Sequence, residues 1–354
     1  MDFGIFVPPL ADSWKMVQRA EALGYSRAWF YDTQMLNTEL FVAMTAAALK
    51  TSKIRLATGV LIPSNRIAPV AASALASLNA LAPGRIDFGI STGFTARRSI
   101  GLGPVKLAAM EEYIRVVCGL LGGETLEWEN EEKRRSIRFL DPEIGAINLR
   151  DPIPLHISAF GPKGRALTAR LGAGWINSAA HVAHGRAGIE AMHESWRAAG
   201  RDTASLQASV LLSGCVLQEG ETLDSPRVRR IAGPPAMIMM HSLAEREAFG
   251  DLGRPIAPPL VPIIEHYRKV YETYTPAEAR YLSNHRGHLM YLRPEEEPVC
   301  SAELIGMMTF TAGKAELRER VRALRDAGYT HFGINAGFGG DSHLEQWAEV
   351  LSGV

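Results

Sequence analysis

Short runs of apolar, β-branched and aromatic residues alternate along the chain with longer stretches in which apolar residues recur three and four apart. FGIFV (3–7), SRAWFY (26–31), IRLATGV (54–60) and RIDFGIS (85–91) read as strands; being apolar almost throughout, they suit strands covered on both faces. Ile67, Val70, Ala71, Ala74, Leu75, Leu78 and Leu81 form one helical stripe, with Pro69 tolerated in its first turn, and Leu107, Met110, Ile114, Val117 and Leu121 form the next. The charged stretch LEWENEEKRRSIRF (126–139) reads as a solvated hairpin or loop. Alternation resumes with PLHISAF (154–160), a helix from about Lys163, GWINS (174–178), a helix carrying Ile189, Met192, Trp196 and Ala199, and QASVLLSGCVL (207–217), the seventh strand. Residues 225–311 break this rhythm with proline, histidine and helical pieces such as PAMIMMHSLAEREAF (235–249) and PIIEHYRKVYETY (262–274). A helix and an eighth strand follow within AELRERVRALRDAGYTHFGINA (315–336).

Eight strands alternating with helices predict an α/β fold, a TIM (β/α)8 barrel with insertions, the longest between strands seven and eight. EALGYSRAWFY, ARLGAGWINS and RDAGYTHFGIN echo one another, each joining a helix end to a strand through glycine, the residue a left-handed C-cap favours. A doubly wound open sheet is the runner-up, but its first strand-to-helix turn calls for GxGxxG and here that turn is VPPLADSW. The expected organisation is one domain over 1–354, with 225–311 as a helical insertion covering the active site.

Composition narrows the function. The chain has 354 residues, 47% hydrophobic and 21% charged, enough to bury a large core. Lys plus Arg equals Asp plus Glu at 38 each, so no basic excess draws the protein to nucleic acid or an anionic membrane. Cys118, Cys215 and Cys300 are widely spaced and suggest neither disulfides nor a zinc site. The start MDFGIFVPPL lacks signal-peptide features and no run of eighteen apolar residues occurs, so a cytoplasmic protein is expected.

In a TIM barrel the chemistry sits at the C-terminal strand ends. Asp32 and Thr33 follow strand two; Gly59, Leu61 and Pro63 follow strand three; Ser91, Thr92 and Gly93 follow strand four. Strand five leads into Ala159, Phe160, Gly161, Pro162, Lys163 and Gly164. A glycine-flanked strand end running into a helix N-terminus presents unpaired N–H groups with the positive dipole end behind them, which suits a phosphate. The same residues also serve an ordinary βα turn.

PGRIDFGISTG (83–93), MEEYIRVVCGLLGGE (110–124) and PIPLHISAFGPKGRALTARLGAGW (152–175) together resemble the bacterial luciferase-like superfamily of flavin-dependent oxidoreductases. YDTQ (31–34) and TGVLIPSNR (58–66) resemble the branch that includes methylenetetrahydromethanopterin reductase. The resemblance implies reduced FMN or a deazaflavin coenzyme at the strand ends. Its phosphate would lie on Ala159, Phe160, Gly161, Pro162, Lys163 and Gly164, and its ring against Gly59, Val60, Leu61, Ser91, Thr92 and Gly93. It also implies a homodimer across early barrel helices. Deazaflavin relatives often have Thr-Asn-Pro, Arg-His and Gly-Asp where this chain has Leu61-Ile62-Pro63, Arg66-Ile67 and Gly93-Phe94, so a less polar partner is expected.

Asp32 is a candidate to hydrogen-bond the flavin edge or substrate, or to accept a proton if burial raises its pKa. His285 and His288 lie three apart in NHRGHLMY, inside the insertion, where an imidazole can give up a proton near neutral pH; His241, His266, His181 and His184 compete for that role. No metal is expected, since HExxH is absent. The reading is an FMNH2-dependent monooxygenase, its reduced FMN supplied by a separate flavin reductase, acting on a small organic substrate. The alternatives are deazaflavin-dependent hydride transfer and a non-catalytic flavin-binding protein.

Overall fold

The computed structural model describes residues 1–250, 256–337 and 340–354. Eight parallel strands close into a barrel in which every sequential neighbour pairs and the last returns to the first: β1 (Asp2–Val7), β2 (Arg27–Phe30), β3 (Arg55–Thr58), β4 (Ile86–Ile90), β5 (Leu155–Ser158), β6 (Gly174–Ser178), β7 (Ala208–Leu212) and β8 (His331–Asn335). Each of the eight lies within a run expected from the sequence, apart from Asp2 at the start of β1. A closed cylinder leaves no edge strand, so each strand is covered by the lumen on one side and by helices on the other, as its nearly continuous apolarity requires.

Helices α1 (Ser13–Ala22), α2 (Leu40–Lys50), α3 (Ala68–Leu81), α4 (Leu107–Leu121), α5 (Pro162–Leu171) and α6 (Val182–Ala198) surround the first part of the barrel. Ala71, Ala72, Leu75 and Leu78 of α3 are buried against the strands, and Pro69 sits in the first turn, where a missing N–H is harmless. The charged stretch before β5 forms an antiparallel hairpin, Leu126–Asn130 with Lys133–Ile137.

The seventh run differs from the expectation of one strand. It stops at Leu212, and a separate two-residue strand, Val216–Leu217, pairs with Ala312–Gly313 outside the barrel. Gly214 lies at the break, where the end of the insertion crosses the chain: Phe310 N–H donates to Ser213 O at 2.8 Å, and a Cβ on Gly214 would stand 2.3 Å from the Phe310 carbonyl oxygen. The connection between β7 and β8 carries α7 (Pro226–Ala244), α8 (Val261–Glu272) and α9 (Ala302–Met308). Val228, Ala232, Met237, Met240, Ile264, Tyr267, Leu304 and Ile305 give it a hydrophobic core distinct from that of the barrel. Helix α7 starts nine residues before the expected Pro235 and runs through Pro234 and Pro235, both buried; packing within this second core outweighs the two lost backbone hydrogen bonds. Helices α10 (Lys314–Asp326) and α11 (Asp341–Leu351) flank β8 and complete the ring.

Inside the barrel, period-two alternation points Arg27 and Trp29 of β2, Arg55 and Ala57 of β3, and Asp87 of β4 into the lumen. Near the N-terminal strand ends Asp87 receives Arg27 Nε at 3.0 Å and Arg55 Nε at 2.8 Å. Trp29 lies above, edge-on to His156 and His331 at centroid distances of 5.3 and 6.0 Å. Phe6, Trp29, Ala57 and Ile176 form a small apolar plug that separates this charged floor from the barrel mouth.

Candidate active site

Strands β3, β4 and β5 bring three candidate segments side by side. Leu61 bridges Ile90, with its N–H on the Gly89 carbonyl at 2.8 Å, and Ile90 pairs with Ile157. Gly59–Val60, Ser91–Gly93 and Ala159–Gly164 therefore leave the barrel as neighbouring strand ends. Gly59 is required where it stands, because a Cβ would fall 2.5 Å from that of Trp29; the Gly59–Val60 peptide bond is cis. Gly164 is likewise constrained, its would-be Cβ lying 2.9 Å from that of Ala159, so only glycine lets α5 start this close to β5.

At this mouth lies a cavity of about 160 Å3 walled by Tyr31, Asp32, Gly59, Val60, Ile62, Phe94, Thr95, His288 and neighbouring residues. A larger cleft, about 710 Å3, lies on the flank between α3, α4 and the hairpin. Its walls include the surface charges Glu112, Arg115, Glu127 and Arg134, and it collects few strand-end groups, so the smaller cavity is the candidate for chemistry.

Asp32 is nearly buried and its carboxylate is fully engaged. It accepts from Ile62 N–H at 3.0 Å and from the Arg66 guanidinium at 2.9 Å, and Arg66 also binds Glu39. Asp32 thus clamps the β3 loop against β2, and a role as proton acceptor would require it to leave Arg66. Tyr31 donates across the mouth to Asn335 Oδ1 at 3.1 Å, tying β2 to β8, and burial pushes its phenol pKa up.

The two histidines expected to act do not stand alike. Their segment is a short helix, Tyr281–Asn284, followed by tight turns in which Gly287 and Leu289 take positive φ. His285 is buried, with Nε2 2.8 Å from Glu245 Oε2, and does not line the cavity. His288 does line it, with Nε2 2.9 Å from Thr95 Oγ1. His241, a competitor from α7, is buried with Nε2 2.6 Å from Glu296 Oε1. His181 and His184 sit at the start of α6 beside each other, away from the cavity walls.

Of the expected cofactor residues, Gly59 and Val60 line the cavity. Leu61 does not: its side chain is wholly buried in the barrel–helix core. Ser91, Thr92 and Gly93 lie beside it on β4. The corner Ala159–Gly164 lies beyond them, outside the cavity walls, and its Phe160, Gly161, Pro162 and Lys163 are exposed. Ile62, Phe94 and Thr95 enter the walls without having been picked as site residues. No motif marks Thr95; only its place four residues past Ser91, after strand four, could have suggested it.

Arg98, just beyond, is buried and joins the insertion to the barrel. Its guanidinium donates to Ser242 O at 3.1 Å, lies 3.7 Å from Glu245 and stacks 4.5 Å over Phe94. Among the described residues no group of three or more His, Cys, Asp and Glu is placed to hold a metal ion, and no helix is long and apolar enough to cross a membrane.

The comparison with known proteins agrees with this architecture. The chain is 27% identical over 268 residues to 5,10-methylenetetrahydromethanopterin reductase of Methanolobus tindarius, covering 73% of this chain and 79% of the relative. It is 27% identical over 217 residues to limonene 1,2-monooxygenase of Rhodococcus erythropolis, covering 56% and 54%. Among solved structures, the coenzyme F420 dependent tetrahydromethanopterin reductase from Methanopyrus kandleri superposes with a TM-score of 0.67 over 98% of this chain and 97% of that one, at 18% identity, which shows a shared fold. The family model described as luciferase-like monooxygenase matches residues 4–331, nearly the whole barrel and its insertion, and the chain belongs to that family of oxidoreductases.

Proposed function

We propose that the protein is an oxidoreductase that transfers hydride with a deazaflavin coenzyme bound at the barrel mouth. The observation that carries this reading is the alignment of Gly59–Val60, Ser91–Gly93 and Ala159–Gly164 as adjoining strand ends. The residues fit such a group. No side chain caps α5, so the Lys163 and Gly164 amides face outward at the positive end of its dipole, and a Cβ on Gly161 would meet nothing within 4 Å, which leaves room for an anionic tail. Lys163 adds a positive charge there. A bound deazaflavin supplies a two-electron hydride carrier. The protein's share is to hold the ring edge against Gly59 and Val60, to keep the β3 loop in place through Asp32 and Arg66, and to exclude water beneath His288 and Leu289 of the insertion.

The deazaflavin is preferred over FMN because a sequence relative, 33% identical over 139 residues, is named F420-dependent glucose-6-phosphate dehydrogenase, and the Methanopyrus kandleri reductase that shares the fold is named as dependent on coenzyme F420. This reverses the order suggested by the apolar Leu61, Ile62 and Phe94. A second reading, an FMNH2-dependent monooxygenase fed by a separate flavin reductase, is favoured by the Ile62, Phe94 and Leu289 walls and by the limonene 1,2-monooxygenase relative. Exposed Val42 and Leu49 on α2 and Val70 and Leu81 on α3 support a homodimer across these helices.

Titrating the protein with oxidised and reduced deazaflavin and FMN by absorbance, with oxygen uptake followed over a substrate panel, tests the choice. Deazaflavin binding with turnover and no oxygen uptake is expected; FMNH2 binding with substrate-dependent oxygen uptake would replace it by the second reading. Stoichiometric binding without any turnover would mark a flavin-binding protein. Gly161→Asp, which sets a carboxylate at the exposed helix start, is expected to weaken cofactor binding about tenfold or more with little change in thermal unfolding. Unchanged affinity would move the anionic tail away from this corner.

A further inference from the structure

Three imidazoles gather where the insertion meets the β4 loop. The ring centroids of His241, His285 and His288 lie 6.0 to 6.3 Å apart. Two of them are pinned by carboxylates. Glu296 accepts from the Arg293 backbone N–H at 3.0 Å and from its guanidinium; burial opposes its charge, but His241 and Arg293 hold its pKa down to about 2. An ionised Glu296 makes His241 a donor from Nε2. Glu245, beside Arg98, stands 2.8 Å from His285 Nε2. The Nδ1 atoms of both rings are buried without a partner.

His288 is the exception. Among the described residues its ring meets no carboxylate and its one polar contact is the Thr95 hydroxyl at 2.9 Å; of the three rings it alone reaches the cavity, where Thr95 stands beside it. Its Nδ1 is also buried and unpartnered. Charged and titratable groups face it from every side: His241 and Glu296, with Arg293 behind them; His285 and Glu245, with Arg98; and Asp32, Arg66 and Tyr31 on the cavity walls or behind them. Burial first, then His241 and His285, push the His288 pKa well below the usual histidine range, while Glu296 opposes this.

We propose that His288 and Thr95 form a proton-transfer dyad for a hydroxyl or carbonyl oxygen of the substrate, with His241 and His285 as positioning residues that keep the His288 ring in place. The inference rests on the reading of this cavity as the site of hydride transfer. As an alcohol carbon gives up two electrons and a hydrogen nucleus as hydride to the oxidised deazaflavin, the oxygen-bound proton passes to the His288 imidazole, directly or across Thr95 Oγ1, leaving a carbonyl. In the reverse direction the same proton returns to the oxygen. A neutral imidazole has the vacancy this requires, whereas Asp32 is occupied by Arg66 and His285 by Glu245.

The test has two parts, one independent of cofactor and turnover. Histidine-selective 15N NMR of the full chain between pH 5 and 8.5 is expected to show His288 neutral throughout. His285→Gln, which keeps a hydrogen-bonding group for Glu245 and removes the neighbouring imidazole, is expected to move the His288 titration upward. His288 protonated at pH 7 in the native protein, or unmoved in His285→Gln, would overturn the proposal. In the second part, His288→Gln and Thr95→Val are assayed with deazaflavin and an alcohol substrate. The expected result is a drop in kcat of about 100-fold for His288→Gln, a smaller drop for Thr95→Val, and cofactor affinity within a few-fold of native. Native kcat in a folded His288→Gln would sink the dyad while leaving the hydride-transfer reading intact. Absence of turnover with any cofactor in the native protein would sink that reading, and the NMR result would still decide the state of His288.

Discussion

Asp87→Ala is expected to destabilise the protein by about 3 to 5 kcal/mol, the range for removing one partner of a buried ion pair. Asp87 is wholly buried in the barrel floor, bound by Arg27 at 3.0 Å and bidentately by Arg55 at 2.8 and 2.9 Å. Burial alone would raise its pKa, but His156, Arg55 and Arg27 hold it well below the usual carboxylate range, even though His156 Nε2 at 3.6 Å is long for a hydrogen bond. Truncation leaves two guanidinium groups without their carboxylate, one of them stacked on Trp29 at 5.3 Å. Urea denaturation of the purified variant, read by tryptophan fluorescence, checks this; a loss below about 1 kcal/mol would mean that water reaches the floor and screens the arginines. Because the floor is separated from the mouth by Phe6, Trp29, Ala57 and Ile176, cofactor affinity in the folded fraction should be little changed.

Acidification from pH 7 to 4 is expected to cost several kcal/mol of stability, with the loss beginning below about pH 6.5. Burial lowers the pKa of His343 from 6.5 to about 4, Arg227 adding to this and the Asn335 carbonyl opposing it. A histidine whose native pKa is depressed leaves stability intact above its unfolded value. Below that value the unfolded chain takes up a proton the native one refuses, so stability falls until the native pKa is passed. For His343 the full loss is about 3 kcal/mol. His241, His288 and His331 are shifted the same way, each chiefly by burial, so their losses add in the same window. Glu296 contributes a later loss. Its stabilisation is present above about 4.5 and disappears as pH falls through about 2. Urea midpoints measured every half unit from pH 7.5 to 4 give the slope; a flat profile down to pH 5 would show that these rings are protonated in the fold.

The barrel was legible because its signal is local and repeated. Strand alternation and helical spacing are properties of a few adjacent residues, and the glycine at Gly24, Gly172 and Gly328, each with positive φ, marks the same helix-to-strand junction three times. The corner at Ala159–Gly164 was legible for the same reason: residues contiguous in sequence form one turn. The seventh run was misjudged as continuous because the segment that packs against its break, Phe310 beside Gly214, lies 96 residues away. The route of α7 through Pro234 and Pro235 was hidden in the same way, since only its packing against α8 and α9 outweighs the local penalty.

The candidate chemistry divides along this line. From the amino-acid order alone came the fold class, the strand ends that form the barrel mouth, the family resemblance, and Asp32 and His288 as groups near the candidate site. Tertiary structure alone decided which of them is free to react. Asp32 is bound by Arg66, His285 by Glu245 and His241 by Glu296, whereas among the described residues the His288 ring hydrogen-bonds only to Thr95, 193 residues earlier in the chain. A side chain's protonation state depends on partners and burial supplied by distant segments, and a linear pattern carries neither.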